Sequence, residues 1–169
     1  VKEITLSGHK ALYRKVEYKN EYSPWYTAGG DSGLVDGITG SMDFKDGNWQ
    51  GFWNENPSVV LDFDSIINVE QIELGFYQYI NSWIFIPEKV KIKYSKDGRK
   101  WKNVKLQSYG LGGNSKKRGQ FYIRTNEFFE EKISCRFLKI EIENIGKVPD
   151  WHEAAGSDAW IFMDEIIVR

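Results

Sequence analysis

The chain has 169 residues, and its 23 basic and 24 acidic side chains give a net charge of −1; the length suits one domain. This balance excludes an electrostatically driven nucleic-acid-binding protein, which needs a basic excess to displace counterions. The single cysteine excludes a disulfide framework and a multi-thiolate zinc site. From the charge balance we therefore expect no nucleic-acid partner. No apolar run approaches the ~20 residues of a membrane-spanning helix, so we also expect no membrane insertion. Aromatic residues are abundant, with 7 Trp, 9 Tyr and 10 Phe.

Apolar residues alternate with polar ones along several short segments, which is the period of a half-buried β-strand. In chain order the predicted strands are residues 11–18, 58–63, 71–76, 90–94, 120–125, 138–142 and 160–168. Asp97 and Gly98 lie between two such runs and predict a hairpin turn, because glycine tolerates positive φ. The pattern as a whole predicts an all-β fold, either an antiparallel sandwich or a jelly roll.

Three polar segments are longer than simple turns. Residues 26–53 are rich in glycine, residues 109–119 are rich in glycine and lysine, and residues 144–158 contain a Pro-Asp-Trp-His sequence. Long loops inside a compact domain are usually functional. We therefore look for binding residues in these three loops.

The last predicted strand carries two adjacent carboxylates, Asp164 and Glu165, on two otherwise apolar faces. The carboxylate that points inward needs a partner, because an unpaired buried charge is costly. A lysine or an arginine could be that partner, and so could a hard cation held by oxygens of the loop at residues 29–41. Calcium takes six to eight oxygen ligands, many of them carbonyls. The residues alone leave open both calcium and ordinary Asp-Gly turns with side-chain hydrogen bonds.

Several short sequences occur in the order typical of one family. They are residues 28–31 (AGGD), 35–37 (VDG), 58–63 (SVVLDF), 95–101 (SKDGRKW), 136–140 (RFLKI) and 162–166 (FMDEI). Together they resemble the coagulation factor V/VIII type C, or discoidin-like, domain over residues 21–169. Residues 47–52 (GNWQGF), 82–85 (SWIF) and 149–152 (PDWH) resemble more narrowly the C-terminal domain of bacterial β-N-acetylhexosaminidases, or chitobiases. The resemblance implies a galactose-binding-domain-like jelly-roll β-sandwich, with residues 1–20 as a boundary segment or as the first strand of the same domain.

The resemblance also implies a structural calcium ion between the early Asp-Gly loop and the last strand. Carried over by position, its ligands are the side chains of Asp36, Ser41 and Glu165 and the backbone oxygens near Gly33 and Ile38. The family usually has threonine at the position of Ser41, so this ligand departs from the pattern. The lone cysteine disfavours the animal members that act on membranes, because those usually close the domain with a disulfide.

A sugar site combines exposed aromatic faces with a few fixed polar groups. Tryptophan is mostly buried on average, and Trp83, Trp101 and Trp160 lie in or beside strand patterns, so we assign these three to the core. The candidates for binding sugar are Trp49, Trp53, Tyr79, Trp151 and His152. For the tryptophans at 49 and 151, burial beneath their own loop is the alternative to exposure.

The sequence lacks a nucleophile elbow, a phosphate-binding glycine loop and a zinc-hydrolase helix, so we expect no catalytic activity. We expect a carbohydrate-binding accessory domain for N-acetylhexosamine or galactose-type glycans, attached to a glycoside hydrolase catalytic domain resembling the hexosaminidases. Such an enzyme would be extracellular or periplasmic. The first alternative is a structural domain that packs on the catalytic domain without binding sugar, and the second is a phospholipid-binding domain of the animal type.

Overall fold

The computed structural model describes residues 8–107 and 116–169 and consists mainly of β-strands joined by loops. The strands are β1 (Lys15–Tyr18), β2 (Gln50–Trp53), β3 (Ser58–Gln78), β4 (Lys89–Ser95), β5 (Lys102–Asn103), β6 (Leu106–Gln107), β7 (Phe121–Arg124), β8 (Glu127–Glu143) and β9 (Trp160–Val168). A short 3₁₀ helix, Ile80–Ser82, follows β3. The described residues form no helix with the length and apolar character needed to cross a membrane. Most of the predicted loop at residues 109–119 lies outside the described residues.

Two long strands, β3 and β8, pass from one layer of the sandwich to the other. In the first part of β3, Val59 lies opposite Tyr18 of β1 on one side and Ile140 of β8 on the other. Two register shifts follow, the first between Asp62 and Ile67, and beyond them β3 pairs with β7 and β9. Because bulges bend a strand and increase its twist, one strand contributes to both layers.

The hydrophobic core lies between these two layers. Leu61 and Ile140 enter it from the first layer, and Leu74, Phe76 and Ile166 enter it from the second; all five are fully buried. Burying a side chain of this kind contributes about 1.5–3 kcal/mol relative to leaving it exposed. The predicted all-β jelly-roll sandwich is confirmed.

The structure differs from the predicted strands in several places. Strand β2 lies within the predicted loop at residues 26–53, and β8 begins at Glu127, before the predicted strand at residues 138–142. The runs at residues 58–63 and 71–76 are parts of one strand, β3, and the segment between them interrupts the alternation because it bulges outward around Asp64, whose φ is +65°. The predicted strand at residues 11–18 begins only at Lys15, after turns in which the Lys10 amide donates to the Val168 carbonyl at 2.9 Å. The segment before β1 therefore contacts β9, and β1 belongs to the same sheet as the other strands.

Candidate functional site

An open pocket of about 840 Å³ lies where β2 ends and β9 begins. Its walls come from residues 21–27, from the loop at residues 44–49 and from the ends of these two strands. Half of its lining residues are aromatic, namely Tyr22, Trp25, Tyr26, Phe44, Trp49, Trp53 and Trp160. A concave aromatic surface of this size is the usual form of a small-ligand site.

Two tryptophans form a stacked pair in this pocket. Trp53 and Trp160 are register partners on β2 and β9, so their side chains extend from the same face of the sheet. Their ring centroids are 5.5 Å apart and their planes differ by 9°. Trp53 is 53% exposed, and Trp25 across the pocket is 84% exposed. The pocket therefore presents two open indole surfaces to solvent.

Trp49 lies in the floor of the pocket and not at its rim. Its side chain is 1% exposed, and its ring packs edge-on against Tyr77 and Tyr122, with centroids 5.1 and 5.4 Å away. Its Nε1 donates a hydrogen bond to the Ser41 carbonyl at 3.0 Å. The expected exposed face of Trp49 is therefore not found, because the loop folds over its own aromatic ring, and Trp49 contributes to the pocket as packed support.

The charged groups of the pocket are Glu21, Glu55 and Lys45. The Asn20 side chain donates to Glu55 Oε2 at 3.1 Å, and Lys45 Nζ lies 5.4 Å from the centre of the Phe44 ring. No basic group of the described residues forms an ion pair with either glutamate. Both carboxylates can therefore accept hydrogen bonds from a ligand.

A buried carboxylate holds the loop that carries the pocket floor. Asp164 Oδ2 accepts hydrogen bonds from the Gly40 amide at 3.0 Å and from the Tyr122 hydroxyl at 2.8 Å. Burial raises the pKa of Asp164, and the positive charge of Arg124, whose nitrogen lies 3.4 Å away, opposes this increase. Because Gly40 lies directly against the ring of Trp49, this carboxylate fixes the position of the floor.

The predicted sugar residues near the end of the chain lie on a second aromatic surface. Trp151 is 39% exposed and packs edge-on against Phe85 and His152, and Lys116 Nζ lies 5.6 Å from its ring. His152 is 5% exposed, and its Nδ1 accepts a hydrogen bond from the Ala154 amide at 3.0 Å. Trp151 therefore presents an exposed ring, whereas His152 is a packed residue.

The structure does not bring all five predicted sugar residues together. Only Trp49 and Trp53 line the pocket. Tyr79 is half-buried beside Phe44, with ring centroids 6.2 Å apart. Trp151 and His152 belong to the second surface.

The three tryptophans assigned to the core are not fully buried. Trp83 is 37% exposed and follows the 3₁₀ helix with a φ of +60°. Trp101 and Trp160 are half-buried; Lys139 Nζ lies over the ring of Trp101 at 4.2 Å. The assignment of these residues to the core is corrected accordingly. All three are at or beyond strand ends, where alternation no longer reports which face is covered.

The predicted calcium loop brings a second pair of carboxylates close together. Glu165 is 1% exposed, its Oε1 lies 2.8 Å from His9 Nε2, and its Oε2 is buried without a hydrogen-bond partner. Burial raises the pKa of Glu165; the His9 and Gly37 hydrogen bonds oppose the increase, and the nearby Asp36 carboxylate adds to it. Burial also raises the pKa of Asp36. Adjacent desolvated carboxylates with an unpartnered oxygen fit the chemistry of a hard cation.

The other expected calcium ligands are placed less favourably. The Ile38 amide donates to Asp36 Oδ1 at 2.8 Å, and Gly33 lies buried in the same loop. Ser41 is engaged elsewhere, because its hydroxyl accepts from the Asp43 amide at 3.1 Å and its carbonyl accepts from the pocket tryptophan. The described residues contain no group of three or more His, Cys, Asp and Glu side chains suited to a metal. A calcium ion would therefore depend on backbone oxygens besides Asp36 and Glu165.

Sequence reasoning missed five aromatic residues of the pocket: Tyr22, Trp25, Tyr26, Phe44 and Trp160. Trp25 precedes the glycine-rich loop in a polar Ser-Pro context, which is a recognisable signal for exposure. Tyr26 packs edge-on against Trp160 with centroids 5.5 Å apart. The register of β2 against β9, which places Trp160 beside Trp53, is not visible in the sequence.

The F5/8 type C domain family matches residues 17–164. A search of curated proteins found no match.

Similar solved structures share the fold at low identity. CpGH89CBM32-4 of Clostridium perfringens, solved with glcNAc-alpha-1,4-galactose, is 14% identical with a TM-score of 0.56, covering 95% of this chain and 92% of that chain. Chitosan-binding module 1 of a chitosanase/glucanase from Paenibacillus sp. IK-5 is 12% identical with a TM-score of 0.56, covering 96% and 99%. CBM32-1 from a family 31 glycoside hydrolase of Clostridium perfringens is 16% identical with a TM-score of 0.54, covering 95% and 97%. At these identities the likeness shows the fold.

Proposed function

Because the chain belongs to the F5/8 type C domain family, we propose that it is a non-catalytic carbohydrate-binding module whose sugar site is the aromatic pocket. The observation that carries the proposal is the exposed Trp53, which stacks on Trp160 and faces a pocket also bordered by the exposed Trp25. Sugar rings have apolar C–H faces, and a rigid indole surface is complementary to them. The stack fixes the ring of Trp53 before ligand arrives, which reduces the entropy cost of binding.

Polar groups around this platform would orient the sugar. Glu21 and Glu55 accept hydrogen bonds from hydroxyls, and Lys45 donates them. These three side chains are exposed, so each contact would add modest affinity and more specificity. The expected ligands are glycans of the N-acetylhexosamine or galactose type.

The similar structures support the wider setting of this proposal. One of them is a complex with glcNAc-alpha-1,4-galactose, and two others come from a chitosanase/glucanase and a family 31 glycoside hydrolase. We extend this to the present chain as an accessory module of a hexosaminidase-like glycoside hydrolase, acting outside the cell or in the periplasm. Its mechanism would be to raise the local concentration of the catalytic domain on a glycan.

A titration calorimetry series tests the sugar site. N-acetylglucosamine, galactose and their oligomers are titrated into the wild type, Trp53→Ala, Trp25→Ala and the control Trp151→Ala, which removes an exposed tryptophan outside the pocket. We expect Trp53→Ala to weaken binding by roughly tenfold or more, equivalent to about 1.4 kcal/mol, and Trp151→Ala to leave it unchanged. Loss in Trp151→Ala with retention in Trp53→Ala would move the site to the second surface. No binding to any variant at millimolar sugar would favour the packing-domain alternative.

We also propose a structural calcium ion held by Asp36 and Glu165 with backbone oxygens near Gly33 and Ile38. Its support is the buried, unpartnered Glu165 Oε2 beside a second carboxylate. The ion would place a positive charge between these two desolvated carboxylates. A ligand that binds only the folded state at 100 times its Kd stabilises it by about 2.7 kcal/mol, so a chelator should lower the melting temperature. The Asp36→Asn and Glu165→Gln variants should lose this response, and an unchanged wild-type melting temperature would refute the ion.

A further inference from the structure

The pocket combines two features that together select a cation. Seven of its lining residues are Trp, Tyr or Phe, and the lining also includes the carboxylates of Glu21 and Glu55. Aromatic faces attract ammonium groups through the ring quadrupole, most strongly in tryptophan, and a nearby carboxylate adds a charge interaction. The structure already contains one internal example, because Lys45 Nζ lies 5.4 Å from the centre of the Phe44 ring.

We propose that the pocket prefers a glycan with a free primary ammonium, such as an unacetylated glucosamine unit, over its neutral N-acetylated counterpart. The proposal rests on the proposed sugar site and specifies its ligand class. Glu21 and Glu55 have no ion-pair partner among the described residues, so they can pair with an incoming ammonium without breaking an existing salt bridge. Both groups are solvent-exposed, so a single charge pair corresponds to a preference of only about two- to fivefold.

The charge distribution around the pocket supports this choice over an acidic sugar. Two carboxylates and one lysine line the pocket, and the lysine lies over Phe44. A uronic acid or a sulfated sugar would place its anion beside both glutamates, which would reduce its affinity. An ammonium would instead face these two acceptors and the exposed rings of Trp25 and Trp53.

The test compares glucosamine trimer with N-acetylglucosamine trimer by calorimetry in low and high salt. The variants are Glu21→Gln, Glu55→Gln and their double variant, and Glu88→Gln is the control, since it removes one exposed carboxylate from a residue that does not line the pocket. Glutamine keeps an acceptor oxygen for the Asn20 side chain, so Glu55→Gln removes the charge without removing that hydrogen bond.

We expect the wild type to bind glucosamine trimer about two- to fivefold more tightly than the acetylated trimer. The preference should shrink in high salt and above the pH at which the amine loses its proton. It should disappear in the double variant and persist in Glu88→Gln. Equal affinities for the two trimers, or a preference that persists in the double variant, would overturn the proposal. The sugar site would still stand if Trp53→Ala abolished the binding of both trimers. If neither trimer binds, the sugar site itself fails.

Discussion

Substituting Gly40 by alanine tests whether the pocket floor is fixed by tight packing. The φ of Gly40 lies outside the left-handed region, so alanine adds no backbone strain there. Its Cβ would nevertheless lie 2.7 Å from Trp49 Cδ2, with two further ring atoms closer still, whereas carbon atoms in contact are normally ~3.5–4.0 Å apart. The indole is buried, and Tyr77 and Tyr122 pack against it, so it cannot move without displacing them.

The size of the effect follows from two contributions. Overpacking of a core costs about 1–3 kcal/mol, and loss of the Trp49 Nε1 hydrogen bond to the Ser41 carbonyl costs about 1 kcal/mol. Gly40→Ala should therefore lower the free energy of unfolding by about 2–4 kcal/mol. For a chain of this size, that corresponds to a decrease of about 4–16 °C in the melting temperature.

Urea unfolding followed by tryptophan fluorescence measures this loss, and sugar titration measures the change in the pocket. Gly8→Ala is the matched control, because a Cβ at Gly8 meets nothing within 4 Å, so its stability should stay within about 0.5 kcal/mol of wild type. The reasoning would be refuted if Gly40→Ala were as stable as Gly8→Ala, since the Trp49 ring could then shift to make room for the methyl group at no cost in stability.

Three further predictions concern the scaffold. Cys135 is fully buried and burial raises its pKa to about 11, so a thiol reagent at pH 8 should label it only after unfolding; rapid labelling of the native protein would contradict this. Asp62 accepts two hydrogen bonds of 2.8 Å from Arg136, which lower its pKa. The Asp62–Arg136 pair should stabilise the folded state by about 0.5–1 kcal/mol above the unfolded pKa of ~3.9, and this contribution should be lost as the pH falls through the lower folded pKa of Asp62. In Asp62→Asn the contribution should be absent at neutral pH. Urea unfolding midpoints measure both effects. Leu74→Ala should lower the free energy of unfolding by about 2–5 kcal/mol in the same assay, because Leu74 is fully buried. A decrease below about 1 kcal/mol would contradict this and would show that neighbouring side chains fill the cavity.

Strand alternation predicted the fold class, because each half-buried strand has to direct every second side chain into the core. It did not predict that residues 58–63 and 71–76 form one strand. The polar segment around Asp64 is typical of a loop, and in the structure it is an exposed bulge within β3. Whether such a segment ends a strand or bends it depends on pairing with β8, which is a long-range interaction without a local signal.

The aromatic site was predictable only in part. Trp53 was identified because it lies at the end of a glycine-rich loop, and it lies in the pocket with half of its surface exposed. Trp49 has the same local context and is buried. The difference between them comes from the loop fold, which closes over one ring and leaves the other on edge strand β2. Local composition cannot distinguish these outcomes, because burial is decided by residues distant in the sequence such as Tyr77 and Tyr122.

The adjacent carboxylates of β9 show why an apparent conflict in a sequence can indicate a functional loop. The sequence suggested that one of Asp164 and Glu165 would be buried and need a partner, and both are buried. Asp164 accepts a hydrogen bond from the Gly40 amide, and the Ile166 amide donates one to the Leu34 carbonyl at 2.8 Å. Positions 34 and 40 belong to the same glycine-rich loop, so β9 holds that loop at two points a few residues apart. A loop with little regular structure can then keep its aromatic floor in a fixed position, which is the condition for a preformed binding pocket.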